Sequence, residues 1–340
     1  MESNNLILGI ESSCDDTGAA IILNNRILSN VVANQEIHQQ YGGVVPELAS
    51  RAHQQNIVPV IDLAIKKANI HLKDLKAIAY TRGPGLMGSL LVGSSFAKSM
   101  SLALNIPLIE VNHMQAHILA HFIEDANEQK PSFPFLCLTV SGGHTQIVKV
   151  NDYFDFELIG QTIDDAAGEA FDKAGKLLNL PYPAGPIIDK KAKLGDPHRF
   201  EFNKPKLANY NYSFSGLKTA ILYFLQKETK KDPNFIEKNI NDLCASIQYT
   251  IVNILMQKLE KASLDLGIKQ IAIAGGVSAN SGIREAFLAN EKTLGWKVFL
   301  PKFAYTTDNA AMIAMVGQLK YERQLFGNIT DKSTAKYSIE

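Results

Sequence analysis

At 340 residues the chain is longer than one hydrophobic core usually supports, and its 46 % hydrophobic content can fill two domains of ordinary size. Thirty-four basic and thirty-four acidic residues cancel, so overall charge does not announce nucleic acid and any phosphate contacts fall to a local patch or a partner protein. Cys14, Cys137 and Cys244 are odd in number and too far apart for C-x-x-C zinc spacing, which suits a reducing compartment and indicates no disulfide framework. With no secretory pattern in "MESNNLILGI" and no long uncharged apolar stretch, the expectation is a cytoplasmic protein with no membrane association.

From Leu6, "LILGIESSCDDTGAAII" reads as an apolar strand, a small polar turn and a second apolar strand, a hairpin pattern. Helices are expected over 46–68 and 89–104, with strands over 77–80 and 107–111. Then "VNHMQAHILAH" sets His113, His117 and His121 at steps of four, on one face of a helix. The polar segment "IEDANEQKPSFP", 123–134, carries charges and two prolines and marks the domain boundary. Beyond it, "FLCLTVSGGHTQIVKV" repeats the strand, turn and strand, so the chain looks internally duplicated. "TIDDAAGEAFDKAGKLLNLPYPAGP" places Asp164, Asp165, Glu169 and Asp172 on a helix followed by a loop over 183–186. A long helix over 240–266, a buried-type strand in "IKQIAIAGGVSAN" and a last helix from Asp308 to about Phe326 complete the second half.

Two glycine-containing hairpins can hold a nucleotide's phosphates, because glycine lets backbone N–H groups approach an anion, although Gly-Gly is also an ordinary hairpin connector. A third glycine pair, Gly275-Gly276, follows a strand and precedes a helix, with Asn280 placed to contact a ribose or phosphate. Asp172, Gly185 and Asp189 are spaced to converge on ribose hydroxyls if helix and loop fold back; a solvated acidic face is the alternative. His113 and His117 offer two imidazoles to one divalent metal, or form a polar face without chemistry, and His121 lies further round. A zinc protease of the H-E-x-x-H type needs a glutamate after the first histidine, and Met114 stands there. On spacing alone Asp308, in "TTDNAAMIA", reads as a helix N-cap.

Taken in order, "GIESSCDDT", "GGVVPELASRAH", "TRGPGLMGSLLVG", "NHMQAH", "VSGGHTQ", "DDAAGEAFDKAGKLL", "YSFSGLKTA", "GGVSAN" and "TDNAAMIA" resemble the bacterial TsaD family along essentially the whole chain. This is the family of tRNA threonylcarbamoyladenosine transferases, once called glycoproteases. The resemblance implies an α/β actin-like ATPase fold, as in sugar kinases and Hsp70, with two duplicated domains and a nucleotide cleft between them. Residues 1–130 would form the first domain, joined by a helix around 308–330, and 131–305 the second. It implies one divalent metal per subunit, Fe(2+) ahead of Zn(2+), on His113, His117 and Asp308. Thr139, Val140, Ser141, Gly142 and Gly143 would meet the phosphate side of the substrate, and Asp172, Gly185, Asp189 and Asn280 its nucleoside. The implied donor is threonylcarbamoyl-AMP, the acceptor the exocyclic amine of adenosine 37 in tRNAs reading codons that begin with A, and AMP the leaving group. Asp15 or Asp16 is the candidate proton acceptor. Relatives often carry Glu in place of Asp16, one methylene longer, which makes Asp15 the safer candidate. Implied partners are tRNA, a shorter TsaB-type paralogue in a heterodimer and a small TsaE-type ATPase. A sugar kinase and a nucleotide-dependent scaffold share the expected fold, but neither explains the histidine pair.

Overall fold

The computed structural model describes residues 5–124, 129–202 and 207–340; residues 125–128, inside the expected boundary segment, lie outside the described residues. The chain forms two compact units, Met1–Pro131 with Pro301–Glu340, and Ser132–Leu300.

In the first unit β1 (Leu6–Glu11), β2 (Thr17–Leu23) and β3 (Arg26–Ala33) form an antiparallel meander, followed in sequence by α1 (Pro46–Ala68), β4 (Ala77–Gly83), α2 (Met87–Leu104), β5 (Leu108–Asn112) and α3 (His113–Leu119). The sheet order is β3-β2-β1-β4-β5, with β4 and β5 parallel to β1. In the second unit β6 (Phe135–Val140), β7 (Thr145–Asp152) and β8 (Asp155–Gln161) make another meander. After them come α4 (Ala167–Leu177), α5 (Gly185–Ala192), α6 (Ser215–Thr229), α7 (Phe235–Lys238), α8 (Ile240–Leu266), β9 (Gln270–Ala274), α9 (Ser281–Thr293) and β10 (Lys297–Phe299). This sheet runs β10-β9-β6-β7-β8, with β6, β9 and β10 parallel. Read from β8, it repeats the order of the first sheet. The duplication suggested by the two hairpins is therefore a duplication of topology.

β1 is buried at all six positions, and reads as an unbroken apolar run because helices cover both faces of its sheet. Leu6, Leu8 and Ile10 pack with Ile57, Val60 and Ile61 of α1, each buried side chain contributing about 1.5–3 kcal/mol relative to exposure. The other face meets α10 (Ala310–Glu322), which is buried continuously from Ala310 to Leu319. The approach is close: a Cβ on Gly9 would lie 2.6 Å from both Ala310 O and Ala314 N. Glycine at 9 and alanines in α10 thus set where this helix begins, and Asp308 stands just ahead of it.

Three sequence expectations shift. The helix expected over 89–104 starts at Met87. The last helix spans Ala310–Glu322, shorter than 308–326; its start is set by Asn309, which caps it by accepting from Met312 N at 3.2 Å. Asp164 and Asp165 precede α4 rather than lying on it. Asp164 accepts from Phe214 N at 2.7 Å, from Ser215 N at 3.3 Å and from the hydroxyls of Ser213 and Ser215, closing the N-terminus of α6. Asp165 pairs with Lys173 at 2.6 Å. The acidic periodicity of this segment runs through a turn that the apolar pattern does not reveal.

Candidate metal centre and anion turn

α3 starts directly at the end of β5. Asn112 is its N-cap, accepting from Met114 N at 2.9 Å and Gln115 N at 3.3 Å, so His113 is the first helical residue and His117 lies one turn on. Both imidazoles are buried, with ring centroids 4.7 Å apart at 89°. Their Nε2 atoms lie 3.3 Å (His113) and 3.2 Å (His117) from the same oxygen, Oδ1 of Asp308. One donor atom from each of the three residues falls within 4.8 Å of the others. The cap expected at Asp308 is supplied by its neighbour Asn309, which leaves the Asp308 carboxylate facing the histidines. His121 lies beyond the helix in a short 3-10 turn.

A fourth polar group orients this cluster. Glu11, the last residue of β1, has no exposed surface. Its carboxylate faces His113 Nδ1 at 3.2 Å and accepts from Thr81 Oγ1 at 2.5 Å and Ser13 N at 2.6 Å. Ser13 Oγ is also 3.1 Å from His113 Nδ1. With Nδ1 occupied, the His113 ring presents Nε2 toward Asp308, the carboxylate–histidine arrangement that fixes a metal ligand's tautomer. Nδ1 of His117 is buried with no hydrogen-bond partner. Two imidazole nitrogens and one carboxylate aimed at one point match a two-histidine, one-carboxylate cation site.

Electrostatics reinforce the fit. Burial pushes Glu11 and Asp308 upward, but the facing histidines, His113 above all, hold both below the ordinary carboxylate range. Burial would lower His113, and the two carboxylates instead raise it well above the usual histidine value. The cluster therefore favours a positive charge at its centre, which a bound cation satisfies. Glu11 was not singled out in the sequence; a lone acid closing an all-apolar strand was the available signal.

The turn between β1 and β2 carries Cys14, Asp15 and Asp16. It is tied down from three directions: Leu86 N donates to Ser13 O at 2.7 Å, Ser89 Oγ to Cys14 O at 2.9 Å, and His53 Nε2 meets that carbonyl at 3.0 Å. Burial, then the nearby carboxylates of Asp15, Asp308 and Glu11, push Asp16 up to about 7. Burial and Asp15 hold the Cys14 thiol protonated.

In the second unit Ser141 closes the β6–β7 turn, with Ser141 N donating to His144 O at 2.8 Å and His144 N to Ser141 Oγ at 3.0 Å. Gly142 and Gly143 are exposed, and a Cβ on either would meet nothing within 4 Å. Neither glycine is required by internal packing. Gly275 is the opposite case: at φ +88, its Cβ would sit 2.3 Å from Val140 O. Thr139 and Val140 are fully buried in β6, where Thr139 pairs with Gln146 and Ala274 and Val140 with Thr145. Asp172 accepts from Ala184 N at 2.8 Å, and burial raises it despite hydrogen bonds from Ala184 and Gly185. Asp189 accepts from Ser281 N at 3.1 Å and Oγ at 2.6 Å; the neighbouring Asn280 caps α9 through Ile283 N and donates to Gln248 Oε1 at 2.8 Å. Asp172, Gly185, Asp189 and Asn280 thus form one linked cluster, each carboxylate already engaged by backbone.

Comparison with known proteins follows the same lines. A family model described as TsaD, tRNA N6-adenosine threonylcarbamoyltransferase, matches residues 26–315. A tRNA N6-adenosine threonylcarbamoyltransferase of Riemerella anatipestifer is 69% identical over 334 residues, covering 98% of each chain. Among solved structures, full-length HypF in its phosphate- and nucleotide-bound form aligns with TM-score 0.61 at 14% identity, over 95% of this chain and 47% of that one. A ROK hexokinase of Thermus thermophilus aligns with TM-score 0.51 at 15% identity, over 94% and 99%. These likenesses place the fold among the actin-like ATPases. Among the described residues no helix is long and apolar enough to cross a membrane.

Proposed function

The chain belongs to the tRNA N6-adenosine threonylcarbamoyltransferase family and is a transferase acting on tRNA; from that premise we propose how its residues divide the work. His113, His117 and Asp308 hold one divalent cation, iron ahead of zinc, since two imidazoles and one carboxylate suit non-haem ferrous iron. Once bound, this cation supplies positive charge that offsets negative charge on the donor during transfer. Glu11 keeps the His113 ring in place. The donor is threonylcarbamoyl-AMP, its phosphate met by the N–H groups of Gly142 and Gly143 in the turn that Ser141 opens and its nucleoside by Asp172, Gly185, Asp189 and Asn280.

In the transfer, a C–N bond forms between the adenosine 37 amine and the carbamoyl carbon. The bond from that carbon to the phosphate oxygen breaks, its electron pair leaves with AMP, and the amine's proton passes to a carboxylate. Asp16 suits that role better than Asp15, because burial and neighbouring carboxylates raise it to about 7, where a carboxylate can both lose and accept a proton near neutrality. Domains over 1–130 with the last helix and over 131–305, a cytoplasmic setting, a TsaB-type partner and a TsaE-type ATPase complete the proposal. A peptidase reading fails on Met114, which is buried and offers no proton acceptor.

The observation that carries this reading is the convergence of His113, His117 and Asp308 on one point. Transfer from threonylcarbamoyl-AMP to tRNA, reconstituted with the partners, should collapse in His113→Ala and Asp308→Ala together with loss of one bound metal. Wild-type rates in both variants would contradict it.

A further inference from the structure

Residues 328–340 lie beyond the stretch that the family model matches, yet they are anchored along α2, β4 and β5 and finally on α3, which presents two of the proposed metal ligands. Lys98 reaches Asp331 O, Arg82 Nε donates to Lys332 O at 2.9 Å, and Thr334 N donates to Arg82 O at 3.0 Å. The segment passes so near β4 that a Cβ on Gly83 would lie 2.1 Å from Thr334 O. Gly85 N donates to Ala335 O at 3.3 Å, the Arg82 guanidinium sits 5.1 Å over the Tyr337 ring, and Tyr337 Oη donates to Glu110 of β5 at 3.3 Å.

The last contacts fall on α3 itself. Asn112, whose Oδ1 caps the helix, turns its Nδ2 to Ser338 O at 2.6 Å. Gln115 Nε2 donates to Ile339 O at 2.8 Å, and the Ile339 side chain is buried. An amide can cap a helix with its oxygen only while its nitrogen points away, and Ser338 O holds it in that orientation. The capped helix begins at His113.

We propose that residues 328–340 form a strap that positions the metal-binding helix, with Asn112 and Gln115 as its anchors. This rests on the metal site proposed above. Its role is to hold His113 and His117 in binding geometry before the cation arrives, so that less ordering accompanies binding.

The test is the dissociation constant for Zn2+, and anaerobically for Fe2+, by chelator competition on the full chain, a variant ending at Gly327, Asn112→Ser and Gln115→Ala. Serine keeps a capping oxygen and loses the donor to Ser338 O. Affinity should fall about tenfold in the shortened chain and by a smaller factor in the two point variants, as for loss of outer-shell partners, with helical circular dichroism retained. Transfer activity in these variants should recover at saturating metal. If the shortened chain does not fold, the two point variants decide: unchanged affinity in both overturns the strap. Unchanged affinity in a folded shortened chain overturns it equally. If instead the full chain binds no equivalent that His113→Ala or Asp308→Ala removes, the metal site is wrong and the strap falls with it.

Discussion

The two hairpin turns occupy equivalent places in duplicated sheets, and they have opposite chemistry. The first, between β1 and β2, is bound from α1, α2 and the β4–α2 loop, and carries Asp15 and Asp16 beside Glu11. The second, between β6 and β7, ends in two exposed glycines with open space where side chains would be. One turn concentrates negative charge and suits a cation and a proton; the other exposes glycine backbone that an anion can approach closely. Topology fixes where a turn stands, and the residues on it decide which charge it accepts.

Predictions can break this contrast, the largest effects first. Asp16→Asn should lower transfer by about 100-fold or more, the usual scale of a general base. In the native protein the rate should fall as pH drops through about 7, and the variant should lose that acid limb. The stability sign is the reverse. Asp16 is raised above its unfolded value of 3.8, so its ionised form disfavours the fold above about 7, and that cost fades as pH falls to 3.8. Asp16→Asn should therefore melt at higher temperature than the native protein at pH 8 and lose the advantage at pH 3.5. An acid limb retained in Asp16→Asn would move the proton acceptor to Asp15.

Next, Glu11→Gln should weaken metal binding about 10–100-fold, as removal of a carboxylate behind a ligating histidine does, measured by chelator competition. Unchanged affinity would mean that Glu11 does not orient His113. The glycines sharpen the comparison inside the second unit. Gly275→Ala, with φ +88 and Val140 O in the way, should destabilise by about 2 kcal/mol or more in urea unfolding. Gly142→Ala should change stability by less than about 0.5 kcal/mol and raise the KM for the donor. A stability loss at Gly142 equal to that at Gly275 would make both glycines merely structural.

Much of the scaffold was legible in the sequence. Apolar runs ending in small polar turns marked both hairpins, because strands buried on both faces lack alternation. The helix with His113 and His117 was visible from spacing. Its third partner was not, since Asp308 lies 191 residues from His117 and looked like a cap whose work Asn309 does. Glu11 escaped notice because a strand-end acid resembles a solvated one until both faces are seen covered. Asp164 and Asp165 were drawn onto α4 by an acidic period that continues across the turn. The spacing of Asp172, Gly185, Asp189 and Asn280 suggested convergence, but not that backbone N–H groups already engage both carboxylates. Nothing in the composition of residues 328–340 pointed to α3.

The central claim is that His113, His117 and Asp308, all in the first unit, hold the cation. Anomalous scattering from crystals of the ferrous protein, grown without oxygen, tests it most directly. One peak is expected about 2.0–2.2 Å from Nε2 of His113, Nε2 of His117 and the Asp308 carboxylate. A peak held by other residues, or none in crystals of catalytically active protein, would contradict it.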